Sequence, residues 1–222
     1  MTVNTFCKEL SGESCSLVGE KCFRIRAGSR CEYIGYYELL KDIARDTPPP
    51  IAAKARASII TPLLESWKNY AQNPRTGMKI VVALPLEREI RAILKSELEP
   101  LGVVVHDTGT KYRIWENVAI IADGLAQKEG FPTSIISVKT WIAEGQIRET
   151  FAYAYWAKTW LGRKQVRVYE VAILKTPTKG KSIESLIEIC KPYLDGVFYL
   201  TEAPYIDELI KELKEIYSKH KP

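Results

Sequence analysis

Val118-Ala119-Ile120-Ile121-Ala122-Asp123-Gly124-Leu125-Ala126 is an apolar run broken by one carboxylate, and Ser134-Ile135-Ile136-Ser137-Val138-Lys139-Thr140-Trp141 is a second apolar run with a lysine near its end. Both read as buried strands, over 118–125 and 134–141. An Asp and a Lys at the ends of neighbouring strands can meet at one sheet edge. There the carboxylate can hold Mg²⁺ through oxygen, and the ammonium can orient an attacking water or offset charge on a phosphate. Strand-end Asp and Lys are also common as solvated turn residues, so the pair alone leaves both readings open.

The segment after the lysine strand, Gly145-Gln146-Ile147-Arg148-Glu149-Thr150-Phe151-Ala152-Tyr153-Ala154-Tyr155-Trp156, adds to the pattern. Gln146, Glu149 and Tyr153 stand three and four residues apart, so they share one face of a helix. Such a face is unusual in a helix otherwise rich in Phe, Trp and Ala, although a solvated stripe would look the same.

Taken together, Ile-Ile-Ala-Asp123-Gly, Ile-Ile-Ser-Val-Lys139-Thr and Glu149-Thr-Phe-Ala-Tyr153-Ala-Tyr resemble the PD-(D/E)xK nuclease superfamily over about residues 86–174. The likeness is to RecB-like exonucleases, archaeal Holliday junction resolvases and proteins of crenarchaeal viruses with this core. It implies an α/β, restriction-endonuclease-like αβββαβ core with a central mixed sheet. It also implies that Asp123 binds a metal, that Lys139 is the motif lysine, and that Glu149 and Tyr153 fill a Q-x-x-x-Y position as E-x-x-x-Y. Gln146 and Tyr153 would face substrate. The acid of the first helix would be Glu87 or Glu89, with Glu97 also open. One departure matters: Ser137 stands where the family's E-x-K motif has glutamate. Some restriction endonucleases of the superfamily also read S-x-K and recruit a glutamate from the next helix. Glu149, or less favourably Glu144, would do so here, making Asp123 and Glu149 the ligands of a Mg²⁺ or Mn²⁺ ion.

Outward from this core, Leu86, Ile90, Ile93, Leu94 and Leu98 predict a helix over 86–98, ended by Pro100, and 103–105 and 112–115 read as strands. Downstream, 144–161 reads as a long helix, 166–174 as a strand, 183–193 as a helix, 196–200 as a strand and 206–218 as a closing amphipathic helix. Upstream, 79–84 reads as a short strand, Asn73-Pro74-Arg75-Thr76-Gly77 as a break, 51–71 as a helix kinked at Pro62, and 36–45 as a helix ended before Pro48-Pro49-Pro50. The expected organisation is a mainly helical, Cys-containing N-terminal region at 1–76 and the nuclease-like α/β domain at 77–222.

Cys7, Cys15, Cys22 and Cys31 crowd into the first region without any C-x-x-C pair. Three staples compete: two disulfides, slightly preferred for want of C-x-x-C, a zinc ion, or an iron–sulfur cluster of the kind some RecB-like nucleases carry. Cys190, on an amphipathic helix, reads as a buried small hydrophobe. His106 and His220 are isolated and carry no assignment.

Hydrophobic residues at 46% and charged residues at 27% are ordinary for a folded chain of 222 residues. No apolar run approaches the roughly 20 residues of a membrane span, and Met1 to Leu10 is no secretory signal, so a cytoplasmic location without a membrane partner is expected. Asn and Gln are scarce while Lys, Glu, Ile and Tyr are plentiful, a balance seen in proteins from hot environments. The net charge of +5 mildly favours a polyanionic partner. Lys158, Trp160, Arg163 and Lys164, or Lys21, Arg24, Arg26 and Arg30, could touch DNA backbone, with solvated faces the default. The expected partner is DNA, with a homodimer left open.

The leading expectation is therefore an enzyme, a metal-dependent deoxyribonuclease. The alternative is a nuclease fold that has lost its chemistry and binds DNA or a protein partner, as Ser137 would favour. An α/β module unrelated to nucleases would follow if the two apolar runs did not pair.

Overall fold

The computed structural model describes residues 10–11, 14–15, 20–21, 48–58, 83–107, 110–115, 118–142, 144–175 and 183–218. The chain divides into two compact units, 1–47 with 56–85, and 48–55 with 86–222. In the first, the described residues include three short strands, β1 (Leu10–Ser11), β2 (Ser14–Cys15) and β3 (Glu20–Lys21), paired antiparallel in that order. Sequence periodicity there predicts helices only. Strands two residues long leave no period-2 signal to read. Cys7, Cys22, Cys31, Arg24, Arg26, Arg30 and His220 lie outside the described residues. So do the expected helix at 36–45, positions 59–71 of the helix at 51–71, the boundary at 76–77, and 79–82 of the strand at 79–84.

Leu84, expected to end that strand, instead opens helix α1 (Leu84–Leu98). Pro85 sits in its first turn, where a missing N–H is tolerated and the fixed φ suits a helix. From α1 the second unit continues through β4 (Val104–His106), β5 (Lys111–Trp115), β6 (Val118–Ile121), β7 (Gly124–Gln127), β8 (Thr133–Ile142) and α2 (Glu144–Leu161). It ends with β9 (Val166–Lys175), α3 (Ile183–Cys190), β10 (Gly196–Tyr199) and α4 (Ile206–Ser218). The result is a mixed α/β fold. Its central five-stranded sheet has the order β10-β9-β8-β7-β4, with β8, β9 and β10 parallel and β7 and β4 antiparallel. The expected αβββαβ order is present, with β5 and β6 forming a separate two-stranded hairpin between the first two sheet strands.

The apolar run at 118–125 is not one strand. It breaks at Ala122–Asp123, so β6 joins the hairpin and β7 joins the sheet, pairing Gly124 with Ile136, Leu125 with Ile135 and Ala126 with Ser134. At the break, the Asp123 carboxylate accepts the backbone N–H of Val138 at 2.7 Å, taking the place of a strand carbonyl. Gly124 lies directly under α1. A Cβ there would stand 3.2 Å from Leu94 Cδ1 and 3.3 Å from the Ile136 Cβ, so any larger residue would push these neighbours back by a few tenths of an ångström.

The strand period of two assigns β8 to two faces. Ser134 faces α4, where its hydroxyl meets Tyr217 Oη at 2.9 Å; that same phenol also lies 3.0 Å from the Ala126 carbonyl and 3.1 Å from that of Pro132. Lys139 faces α2. On the α2 side, Ile135, Val168, Ala172, Ile147, Ala154 and Ala157 share one apolar cluster. Within the second unit, residues 51 and 52 are held to α4 by Asp207, whose carboxylate accepts the N–H groups of Ile51 and Ala52 at 2.9 Å each. Among the described residues no helix is long and apolar enough to cross a membrane.

The far end of α2 is pinned by a buried ion pair, Lys158 to Asp195 at 2.6 Å. Asp195 also takes Arg167 at 2.9 Å and the N–H of Val168 at 2.7 Å. Removing the carboxylate strands Lys158 in a dry site, so Asp195→Ala should cost about 3–5 kcal/mol. Lys158→Met should cost clearly less, because Asp195 keeps Arg167 and the Val168 N–H. Urea unfolding of both variants measures the difference; equal losses would contradict this asymmetry.

Candidate active site

Three elements bring the sequence-predicted residues together. The break between β6 and β7 supplies Asp123, β8 supplies Ser137 and Lys139, and α2 supplies Glu149, Thr150 and Tyr153. All six line one shallow cleft of about 70 Å³ over an apolar floor.

The contacts within the cleft are specific. Lys139 Nζ lies 3.1 Å from Glu149 Oε2, and the Tyr153 hydroxyl donates to Glu149 Oε1 at 3.3 Å. Asp123 Oδ2 is held by Val138 N–H, and the Asp123 carbonyl accepts from Arg91 Nη1 on α1 at 2.8 Å. Burial raises the pKa of Asp123 above the ordinary carboxylate value. The Val138 N–H and the Lys139 and Arg91 charges oppose that rise, and Glu149 adds to it. Burial likewise pushes the Tyr153 phenol up, helped by the charge of Glu149.

Not every expected residue reaches the cleft. Glu87 is buried on α1 and, like Gln146 on α2, is absent from the cleft lining. Glu97 pairs with Lys214 of α4 instead. Lys158 is withdrawn from any backbone-contacting surface by its buried pair with Asp195. Cys190 is buried with a free thiol, as its place on an amphipathic helix predicts.

The structure adds residues that motif reading passes over. Arg91 recurs only at a helical surface spacing and gives no sequence signal. Glu170 does give one, as a lone acid inside the apolar strand Val166–Lys175. It pairs in register with Ser137 on the adjacent parallel strand, and is 0% exposed. Neither carboxylate oxygen has a hydrogen-bond partner among the described residues. Burial pushes its pKa up to about 7; the neighbouring Thr150 hydroxyl draws it down but makes no hydrogen bond of ordinary geometry. Lys139 also favours its charged form, while Glu149 and Asp123 oppose it.

No family model matches this chain, and no curated protein matches it. Among solved structures, the chain is similar to a type III CRISPR defence DNA nuclease activated by cyclic oligoadenylate, at 17% identity and a TM-score of 0.41. The match covers 79% of this chain and 27% of that one, so this chain spans about a quarter of the length of that nuclease.

The burial of Glu170 predicts a pH signature. A carboxyl whose folded pKa is about 7, against an ordinary 4.5, keeps its proton in the fold after the unfolded chain has lost it. Its contribution is therefore complete below pH 4.5 and is lost as pH rises to about 7. Glu170→Gln carries no such penalty. Its stability relative to wild type should rise by roughly 3 kcal/mol across that window and then level off. Chemical denaturation of both proteins at a series of pH values, in chelator, measures it; a pH-independent difference would refute the assignment.

Proposed function

We propose that this chain is a divalent-metal-dependent deoxyribonuclease, with Asp123 and Glu149 as metal-binding carboxylates and Lys139 as the cation that assists water attack. The observation that carries the reading is the convergence of Asp123, Lys139, Glu149 and Tyr153 on one small cleft beside Ser137. Among the described residues no group of three or more His, Cys, Asp or Glu side chains is gathered to hold a metal. Two carboxylates nevertheless fit a Mg²⁺ or Mn²⁺ site, because Mg²⁺ is commonly held by one or two carboxylates together with waters and substrate phosphate. When bound, such an ion supplies Lewis-acid charge at the phosphate.

The chain's own groups account for the rest. Val138 N–H and Arg91 fix Asp123 at the strand break, leaving its second carboxylate oxygen for a ligand. Tyr153 orients Glu149 from one helical turn along α2. Lys139 and Glu149 neutralise each other across 3.1 Å. Were Asp123 and Glu149 to hold a cation, the Lys139 ammonium, no longer needed to neutralise Glu149, would be available to the scissile phosphate and its attacking water. Ser137 offers a hydroxyl where a carboxylate would add an anionic ligand, and Glu149 fills that deficit from the helix.

A second reading, a nuclease fold that binds DNA without cutting it, is favoured by the same Lys139–Glu149 pair, which satisfies both groups without any metal. Cleavage assays on single-stranded, duplex and branched DNA, with and without Mg²⁺ or Mn²⁺, separate the two. On the enzyme reading, Asp123→Ala and Lys139→Ala each reduce cleavage at least a hundredfold. Glu149→Gln does the same, and Ser137→Glu in that background restores part of the activity. Full cleavage by the Asp123 and Lys139 variants would sink the site; absence of metal-dependent cleavage in wild type would overturn the enzyme reading, and DNA retained by that protein in a gel-shift assay would then support the binding-only one.

A further inference from the structure

We propose that the outer face of the β5–β6 hairpin, carrying Lys111 and Arg113, binds the phosphate backbone of DNA beside the cleft. The inference rests on the nuclease reading above for its partner, and gives that reading a substrate-binding surface. Antiparallel register partners share a face, so Lys111 with Ile121 and Arg113 with Ala119 lie on one side of the hairpin. All four are exposed, Ile121 at 60%. The alternate pair, Tyr112 with Ile120, turns the other way. Ile120 is buried in the apolar cluster that holds Ile147, Ala154 and Ala157 of α2, and Tyr112 packs against that cluster. The Tyr112 hydroxyl also meets Thr133 Oγ1 at 3.2 Å. The hairpin is thus seated on the second unit by its inner face, and its outer face meets solvent.

Position and charge select the occupant. Ile120, Ile121 and Ala122 line the cleft together with Asp123. Lys111 stands opposite Ile121, so the cationic face begins at the rim of the cleft. Lys111 and Arg113 lie about 7 Å apart along β5, close to the spacing of successive phosphates on one strand. Neither makes an ion pair or hydrogen bond among the described residues. The other two residues of the face, Ala119 and Ile121, carry no charge. Asp107, the exposed acid ahead of β5, is matched by Lys95 at 3.1 Å. Glu116, between the two strands, lies outside the described residues. The cations singled out by sequence are engaged elsewhere: Lys158 pairs with Asp195, and Arg163 lies over the ring of Tyr193 at 4.9 Å. Lysine and arginine on a seated strand pair suit a polyanion, because each can pair with a phosphate and release its counterion. A second copy of the chain is the rival occupant, but one that met this face with its own would set like charges together.

The test uses the full chain in EDTA, where no divalent metal supports cutting. Affinity for a fluorescently labelled DNA duplex is read by anisotropy over a series of KCl concentrations. Each phosphate contact adds about 0.9 to the slope with which log affinity falls against log salt. Lys111→Ala with Arg113→Ala should therefore flatten that slope by about 1.8 and weaken low-salt binding about tenfold. Lys111→Arg with Arg113→Lys keeps both charges and should keep the wild-type slope. Arg163→Ala with Lys164→Ala removes the same net charge from beyond the end of α2 and should leave the slope unchanged. An unchanged slope in the hairpin alanine variant would overturn the proposal. Equal flattening in both alanine variants would overturn it too, since the loss would then report net charge and not a surface. So would wild-type protein that binds no DNA, or a dimer, seen by sedimentation, that the hairpin variant dissolves. Because binding is measured without metal, its result is independent of cleavage. Hairpin-dependent binding with no metal-dependent cleavage would remove the nuclease reading and leave the surface standing; cleavage with an unchanged slope would do the reverse.

Discussion

The hydrogen bond from Val138 N–H to the Asp123 carboxylate is the constraint on which the site depends. A strand that continued straight through Asp123 would offer a backbone carbonyl to β8 and turn the side chain to one sheet face. Here the side chain does the pairing. The chain before it is released into the β5–β6 hairpin and the chain after it enters the sheet. The carboxylate is thereby fixed beside Ser137 and Lys139, at the price of burial that raises its pKa. Arg91, donating to the carbonyl of the same residue, holds the break from the α1 side. One residue thus ends a strand, sets the sheet register and presents an anionic oxygen to a cleft.

The architecture was legible because its signals are periodic and long. Leu86, Ile90, Ile93, Leu94 and Leu98 mark α1, and all five are buried. The runs at 134–141 and 166–174 are too apolar for anything but a covered sheet, and both extend by a residue or two in the structure. What periodicity could not supply was the break at Asp123. An apolar run interrupted by one Asp looks like a strand with a polar end, and only the partner strand's free N–H shows that the side chain has replaced the backbone. The short strands β1 to β3 were hidden for a different reason, since two residues cannot display an alternation.

The site was legible in part, through residue types at fixed spacing. Glu149 and Tyr153, four apart on α2, do touch, and Lys139 reaches Glu149 across ten residues of chain because β8 delivers it to the start of that helix. Glu87 had the right chemistry and a place on the right helix, but its side of α1 is buried away from the cleft lining, and Arg91 one turn on is the residue that reaches Asp123. A spacing argument ranks candidates on one element. It cannot choose which turn of a helix will face a strand end that is defined only by tertiary packing.

Ser137 and Glu170 form the most informative pair. They are neighbours across β8 and β9, and each breaks a local rule: Ser137 stands where the resembled motif has a carboxylate, while the neighbouring strand buries a carboxylate with no hydrogen-bond partner among the described residues. This fold is able to pair a buried acid. Asp195, with its carboxylate on β9 at Val168, is nearly as enclosed and has Lys158, Arg167 and a backbone N–H to itself. Selection for stability alone would treat Glu170 in the same way or replace it by Gln, which fits the same space. Violations of polar satisfaction in natural folds concentrate where function opposes stability. Among the described residues Glu170 has no hydrogen-bond partner, within the electrostatic reach of Asp123, Lys139 and Glu149, while Asp195, just before β10, is fully satisfied; on the nuclease proposal, that contrast is what a functional constraint beside Ser137 would leave.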